Sequence, residues 1–261
     1  MGALKQLYSK FPLPGGKLVH DGDVVRLIDA AGKLIHTAKN DGSNPRENPE
    51  GKGVLPQQSG WVAYAYWYNT GSPINYFTTD WVVPPAPRTY RRQTVFLFNS
   101  IEPASGNAIL QPVLQYGPSA AGGANYWAVA SWYVVGTTAY HTSLVRVNPG
   151  QVLRGIISLT SITSGKYNYA TYFSNVGGTT LTLSGSPQLV WATETLESYN
   201  VGVSTDYPSG STVFSSIYIR TTTSNTPSMR WTTVSDSADR LFTTVNTQGP
   251  ANARITISYP S

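Results

Sequence analysis

The chain reads as an all-β protein, a sandwich or barrel of many short strands. Three observations predict this. Segments rich in Val, Ile, Thr, Tyr and Trp recur along most of the 261 residues, with Gly, Pro, Asn and Ser clusters between them at a spacing of ~8–12 residues. Only 12% of residues are charged, against ~25% in ordinary domains, while Ser and Thr number 56 and Tyr 17. Such strands carry hydroxyls and aromatics on faces where others carry Lys and Glu, and these side chains suit a pleated, half-buried surface. The strong helix formers are scarce, and no repeat of ~20–50 residues is present.

The elements follow in order. Residues 14–37 predict a small antiparallel unit. Gly15-Gly16 opens it, Lys17-Leu18-Val19-His20 is a strand, and Asp21-Gly22 is a hairpin turn. Val24 to Ile28, a turn at Ala30-Ala31-Gly32, and Leu34-Ile35-His36 complete it. Residues 39–60 lose periodicity and hold three Pro and four Gly, which predicts a surface loop or linker. Strands are then predicted at 61–68, 76–83, 94–99, 108–116, 126–135, 141–147, 152–160, 168–174, 180–184, 189–197, 213–221, 230–234 and 253–258. The single helix-like stretch is a short turn near 236–240.

Composition excludes several classes. High aromatic and low charge content opposes disorder. No apolar run approaches the ~18–20 residues of a membrane span. With no Cys, disulfides, thiolate nucleophiles, zinc fingers and iron–sulfur sites are excluded. The start, Met-Gly-Ala-Leu-Lys-Gln-Leu-Tyr, has no apolar leader and no small-residue cleavage site, which favours the cytoplasm, with a trimmed secreted chain as the alternative.

Candidate chemistry is sparse. His20, His36 and His141 share no metal-ligand spacing and each lies in a strand-like stretch. Ala121-Gly122-Gly123-Ala124 lacks the Lys of a phosphate loop and reads as a turn. Arg88, Arg91 and Arg92 form the one dense basic cluster, which reads first as a solvated loop and otherwise as an anion-binding surface. The carboxylates are more informative because the chain has only 13. Glu102 follows a strand at a turn. Within Trp191 to Glu197, alternation puts Trp191, Thr193, Thr195 and Glu197 on one face and Ala192, Glu194 and Leu196 on the other. Glu194 thus has small or apolar face-mates, an environment that raises a carboxyl pKa. Gln111 and Gln115 sit in an apolar strand and must find hydrogen-bond partners if buried.

These segments resemble the fungal glutamic peptidases, the eqolisin-like family with a concanavalin-like β-sandwich. The matching pieces occur in family order. Ser59-Gly60-Trp61-Val62-Ala63 is similar to the entry strand, and Phe77 with Trp81-Val82-Val83-Pro84 to the aromatic–Val–Val–Pro strand. Gly106-Asn107-Ala108-Ile109-Leu110-Gln111 resembles the A-I-L-Q strand that carries the catalytic Gln. Tyr126-Trp127-Ala128 and Trp132-Tyr133 resemble the aromatic strand, and Val147 to Val152 the V-x-x-G-D-x-I segment. Ala192 to Glu197 resembles the A-E-W-I-x-E strand that carries the catalytic Glu. The likeness spans about residues 59–220. The chain departs from the family in being basic, at +5 with pI ≈ 9.3, Cys-free and without a leader. Its N-terminal hairpin and the segment beyond 225 match no part of the family.

The resemblance implies a concanavalin-like antiparallel sandwich (jelly roll) over 59–261, with residues 1–58 as an N-terminal hairpin extension and linker. It implies an endopeptidase that needs no cofactor or metal. Gln111 would stabilise the oxyanion and Glu194 would act as general base on a bridging water, Glu197 being the alternative carboxylate one loose match away. Trp61, Trp67, Trp127, Trp132 and Tyr133 would line a cleft for an extended polypeptide. Nucleic acid and membrane are not among the expected partners, and the oligomeric state is left open. Because sandwiches of this kind host many lectins, a non-catalytic glycan-binding protein is the competing expectation.

Overall fold

The computed structural model describes residues 9–12, 15–42 and 58–261. Among these, nineteen strands, numbered in chain order, form two sheets. The first sheet runs β1 (Ser9–Pro12), β10 (Thr138–His141), β9 (Trp127–Val135), β8 (Ala108–Tyr116), β7 (Thr94–Pro103), β15 (Leu189–Val201), β5 (Gln58–Tyr68) and β17 (Thr232–Val234), with β11 (Val145–Arg146) also pairing with β9. The second runs β18 (Phe242–Thr247), β19 (Ala251–Ser258), β16 (Ser211–Thr221), β6 (Ile74–Val82), β12 (Val152–Thr163), β13 (Lys166–Phe173), β14 (Leu181–Ser186), β2 (Lys17–Asp21), β3 (Val24–Ile28) and β4 (Leu34–Lys39). Neighbours are antiparallel except β1–β10 and β14–β2. The all-β sandwich that the sequence predicts is the fold observed.

The sheets face each other across one apolar core. Leu97, Leu110, Leu114 and Tyr133 enter from the first sheet and Phe77, Trp81, Ile157 and Phe214 from the second. The first sheet is also apolar on its outer face. There Phe98, Ile109, Val113, Ala130, Trp132 and Val134 form a second buried cluster. This explains why β8 and β9 are buried at every position.

The predicted N-terminal strands are β2, β3 and β4, with Gly22 at φ 67 in the turn between the first two. They extend the second sheet through two parallel register pairs, Leu18 with Leu183 and Val19 with Ser184. Leu18, Val25, Leu27 and Ala38 join the main core. Most of the predicted loop 39–60 lies outside the described residues, from 43 to 57.

The predicted strand at 141–147 is instead two short strands, β10 and β11. β18, a Thr-rich edge strand, is not among the predicted strands, because an edge with one wet face carries little apolar alternation. Residues 236–240 form a turn, and the one helical element among the described residues is a 3-10 turn at Ser204–Asp206. Among the described residues, no helix is long and apolar enough to cross a membrane.

Candidate active site

From Trp191 to Tyr199, β15 pairs with β7 in unbroken register and alternates between the two faces of the sheet. Ala192 and Leu196 point into the main core, and Glu194 goes with them. Its carboxyl is fully buried and accepts a hydrogen bond from the Thr79 hydroxyl on β6 of the opposite sheet. The second oxygen, Oε2, has no hydrogen-bond partner among the described residues. Burial pushes the pKa well above the usual carboxyl range, and the Thr79 bond offsets this only in part. The structure therefore puts Glu194 between the sheets, on the face away from Gln111. The apolar face-mates that made it conspicuous in the sequence are core residues.

Gln111 lies on the outer face of β8, flanked on that face by Ile109 and Val113 of the second apolar cluster. It lines a cleft of about 680 Å³ whose walls include Trp61, Phe96, Trp132, Glu197 and Tyr199. Its Oε1 is buried and has no hydrogen-bond partner among the described residues. Gln115, four residues on, is satisfied. Its Nε2 donates to the carbonyls of Gly117 and Gly122 at 2.8 and 2.9 Å, and its Oε1 accepts from the Ser119 hydroxyl at 2.8 Å. Of the two strand amides, one closes a loop and the other faces the cleft.

Two of the five aromatic residues expected at the cleft are there. Trp61 and Trp132 line it. Trp67, Trp127 and Tyr133 are in the main core. On β9, alternation alone separates Trp132 from Tyr133. On β5, a bulge separates Trp61 from Trp67: Leu196 pairs with Ala63 but Glu197 pairs with Trp61, leaving Val62 as the extra residue. Val62 and Ala63 are both core residues, so the bulge turns Trp61 outward.

Strand register decides which acid can meet Gln111. The pairs Phe98–Val113 and Ile101–Leu110 set Ser100 beside Gln111, and Ser100 pairs on its other side with Thr193. Ser100 Oγ and Thr193 Oγ1 are 2.7 Å apart, and Thr193 continues to Thr195 at 2.8 Å. The residue level with Gln111 on β15 is thus a threonine. Glu197 is level with Phe96, four residues along from Ser100. At ~4.8 Å between strands and ~3.3 Å per residue, its Cα is about 16 Å from that of Gln111. Glu102 pairs with Trp191 and lies two residues from Ser100 on the same face. Its Cα is about 8 Å from that of Gln111, a diagonal cross-strand neighbour within reach of long side chains. Glu102 is fully buried. In the sequence Glu102 is an acid that follows a strand at a turn; its even spacing from the wall residue Phe96 and the outer-cluster residue Phe98 is the signal of its face.

Glu197 accepts a hydrogen bond from the Tyr199 hydroxyl, and burial raises its pKa to about 7 against that bond. His20 and His36 lie away from the cleft, whereas His141 pairs in register with the wall residue Trp132 and packs against its ring. His20 Nδ1 is 2.7 Å from the Tyr133 hydroxyl, His36 Nδ1 is 3.1 Å from that of Tyr140, and the His141 ring lies 4.9 Å from Trp132. Arg88, Arg91 and Arg92 are exposed. The segment at Gly122 is a turn bridged to Ser119.

No protein-family model and no curated protein matches the chain. Among solved structures, the chain is similar to scytalidoglutamic peptidase with a peptide-based transition-state analogue. The TM-score is 0.50 at 14% identity, over 76% of this chain and 98% of that one. It is also similar to SCP-B, a member of the eqolisin family of peptidases, in a complex with the tripeptide Ala-Ile-His, at a TM-score of 0.47 and 14% identity, with the same coverage. At such identity the likeness is one of fold.

Proposed function

We propose that the protein hydrolyses peptide bonds of an extended polypeptide on the outer face of the first sheet, with Gln111 and Glu102 as the reacting pair. The observation that carries this is Gln111 itself, an amide in an apolar cleft wall whose buried oxygen has no partner among the described residues. Buried amides without partners are rare and call for an explanation. The fold shared with a glutamic peptidase supports the same reading. Glu102 takes a proton from a water molecule as that water attacks the scissile carbonyl carbon. The Gln111 amide N–H donates to the oxyanion that develops on the carbonyl oxygen. Glu102 then returns the proton to the leaving amine. The hydroxyls of Ser100 and Thr193 lie in the row beside Gln111 and can orient the water. Because Glu102 is closed to solvent, turnover requires the side chains around it to give way to substrate.

The test is cleavage of a denatured protein from pH 3 to pH 8 by the wild type and four variants. Gln111→Ala should lower the rate by ~10²–10³-fold, the loss typical of one oxyanion donor, and Glu102→Gln should abolish it. Glu194→Gln should retain cleavage. If Glu102→Gln cleaves normally and Glu197→Gln does not, the assignment of the base is overturned. If the wild type cuts nothing at any pH, hydrolysis is overturned, and selective binding on a glycan array would favour the lectin reading.

A further inference from the structure

We propose that the end of the cleft beyond Gln111 is a recognition pocket for a basic side chain, lysine or arginine, held by Glu197. The inference rests on the polypeptide reading for its occupant but not on the hydrolytic chemistry. Three observations on the cleft converge. Its walls are apolar and aromatic, with Trp61, Phe96 and Trp132 close together; Phe96 and Trp132 have ring centroids 6.1 Å apart. Such walls suit the methylene stem of a long cationic side chain, and Trp faces attract the cation itself. Glu197 is the one carboxylate among the lining residues. Its hydrogen-bond partner is the Tyr199 hydroxyl, and among the described residues no Lys or Arg pairs with it.

A carboxylate in an apolar wall is costly unless a cation meets it. An apolar occupant would cover Glu197 without compensation, and an acidic one would repel it. A basic side chain supplies both the stem for the walls and the charge for the carboxylate. The four-residue offset of Glu197 from the Gln111 row is about 13 Å along the strands, which sets the basic side chain a few residues from the bond at Gln111.

The experiment uses the Glu102→Gln protein, so that peptides stay intact, and alanine-based nonapeptides with one central Lys, Arg, norleucine or Glu. Binding is read from tryptophan fluorescence at pH 8. Lys and Arg peptides should bind at least about tenfold tighter than norleucine, and Glu should bind weakest. Adding Glu197→Gln should bring the Lys-to-norleucine ratio to about one, and Glu197→Leu should reverse it. Equal binding of Lys and norleucine, a Lys preference that survives Glu197→Gln, or no binding of any peptide overturns the proposal. Cleavage of denatured protein without regard to basic residues sinks this inference alone. A basic preference in binding without cleavage sinks the hydrolytic reading alone.

Discussion

Glu194 and Glu197 stand three residues apart on one strand, and an odd spacing sends them to opposite faces. The inward one is the larger thermodynamic liability. A carboxyl whose pKa rises on folding contributes stability that is complete below its unfolded value and is lost as pH climbs through the folded one. Glu194 is raised well above the ordinary range by burial, so the native state holds it neutral and weakens as the solution becomes alkaline. Glu194→Gln keeps the shape and an acceptor for the Thr79 hydroxyl but has no proton to lose. It should raise the melting temperature at pH 8 by several degrees and leave it nearly unchanged at pH 4, since each kcal/mol is worth ~2–4 °C in a domain this size. Scanning calorimetry at the two pH values checks this. A variant less stable at pH 8 than the wild type would mean that Glu194 is charged and compensated in the native state.

Between residue and sheet, the bulge in β5 is what gives the cleft one of its walls. A strict period of two puts Trp61 and Trp67 on one face; the extra residue Val62 sends Trp61 outward and keeps Trp67 in the core. Deleting Val62 restores the period, and every side chain before it then changes face. Trp61 should turn into the sandwich and the cleft should lose its wall. The expected readouts are a drop in acrylamide quenching of tryptophan fluorescence and a melting temperature lowered by the strained insertion of an indole. Unchanged quenching would mean that β5 slips elsewhere to absorb the deletion. The same residues mark how far the sequence could be read. Alternation on β15 was legible and separated Glu194 from Glu197, whereas the resemblance put Trp132 and Tyr133 together at the cleft and the same alternation on β9 parts them. The bulge was not legible, because Gly60-Trp61-Val62-Ala63 carries no local mark of an insertion. Nor was the partnership of Gln111 with β7, because register across strands is set by loop lengths and packing. That is why Glu102 looked like an ordinary strand-end acid.

At the scale of the whole molecule, the N-terminal strands and the sandwich are held together partly by groups that titrate in the opposite sense to the glutamates. His20 on the second sheet donates from Nε2 to the Gly22 carbonyl at 3.0 Å, which leaves Nδ1 to accept from the Tyr133 hydroxyl of the first sheet at 2.7 Å. Burial lowers the His20 pKa, against the Gly22 bond that raises it, and burial also lowers that of His36 beside Tyr140. A histidine held neutral contributes stability that is complete above its unfolded pKa of ~6.5 and is lost as pH falls through the folded value. Glu197, raised to about 7, and Glu194 lose theirs as pH rises. Stability should therefore peak in the mildly acidic range where the two sets overlap, and its two flanks should fail in different places. On the acid flank, the amides of Leu18, Val25 and Leu27 should exchange with deuterium sooner than those of Leu110 and Leu114, because β2 is joined to β14 by only two register pairs. His20→Gln, which gains no proton there, should flatten that flank while leaving the alkaline one intact. Uniform loss of protection across both sheets at pH 5 would show that the hairpin and the sandwich open as one unit, and that His20 does not govern the acid limit.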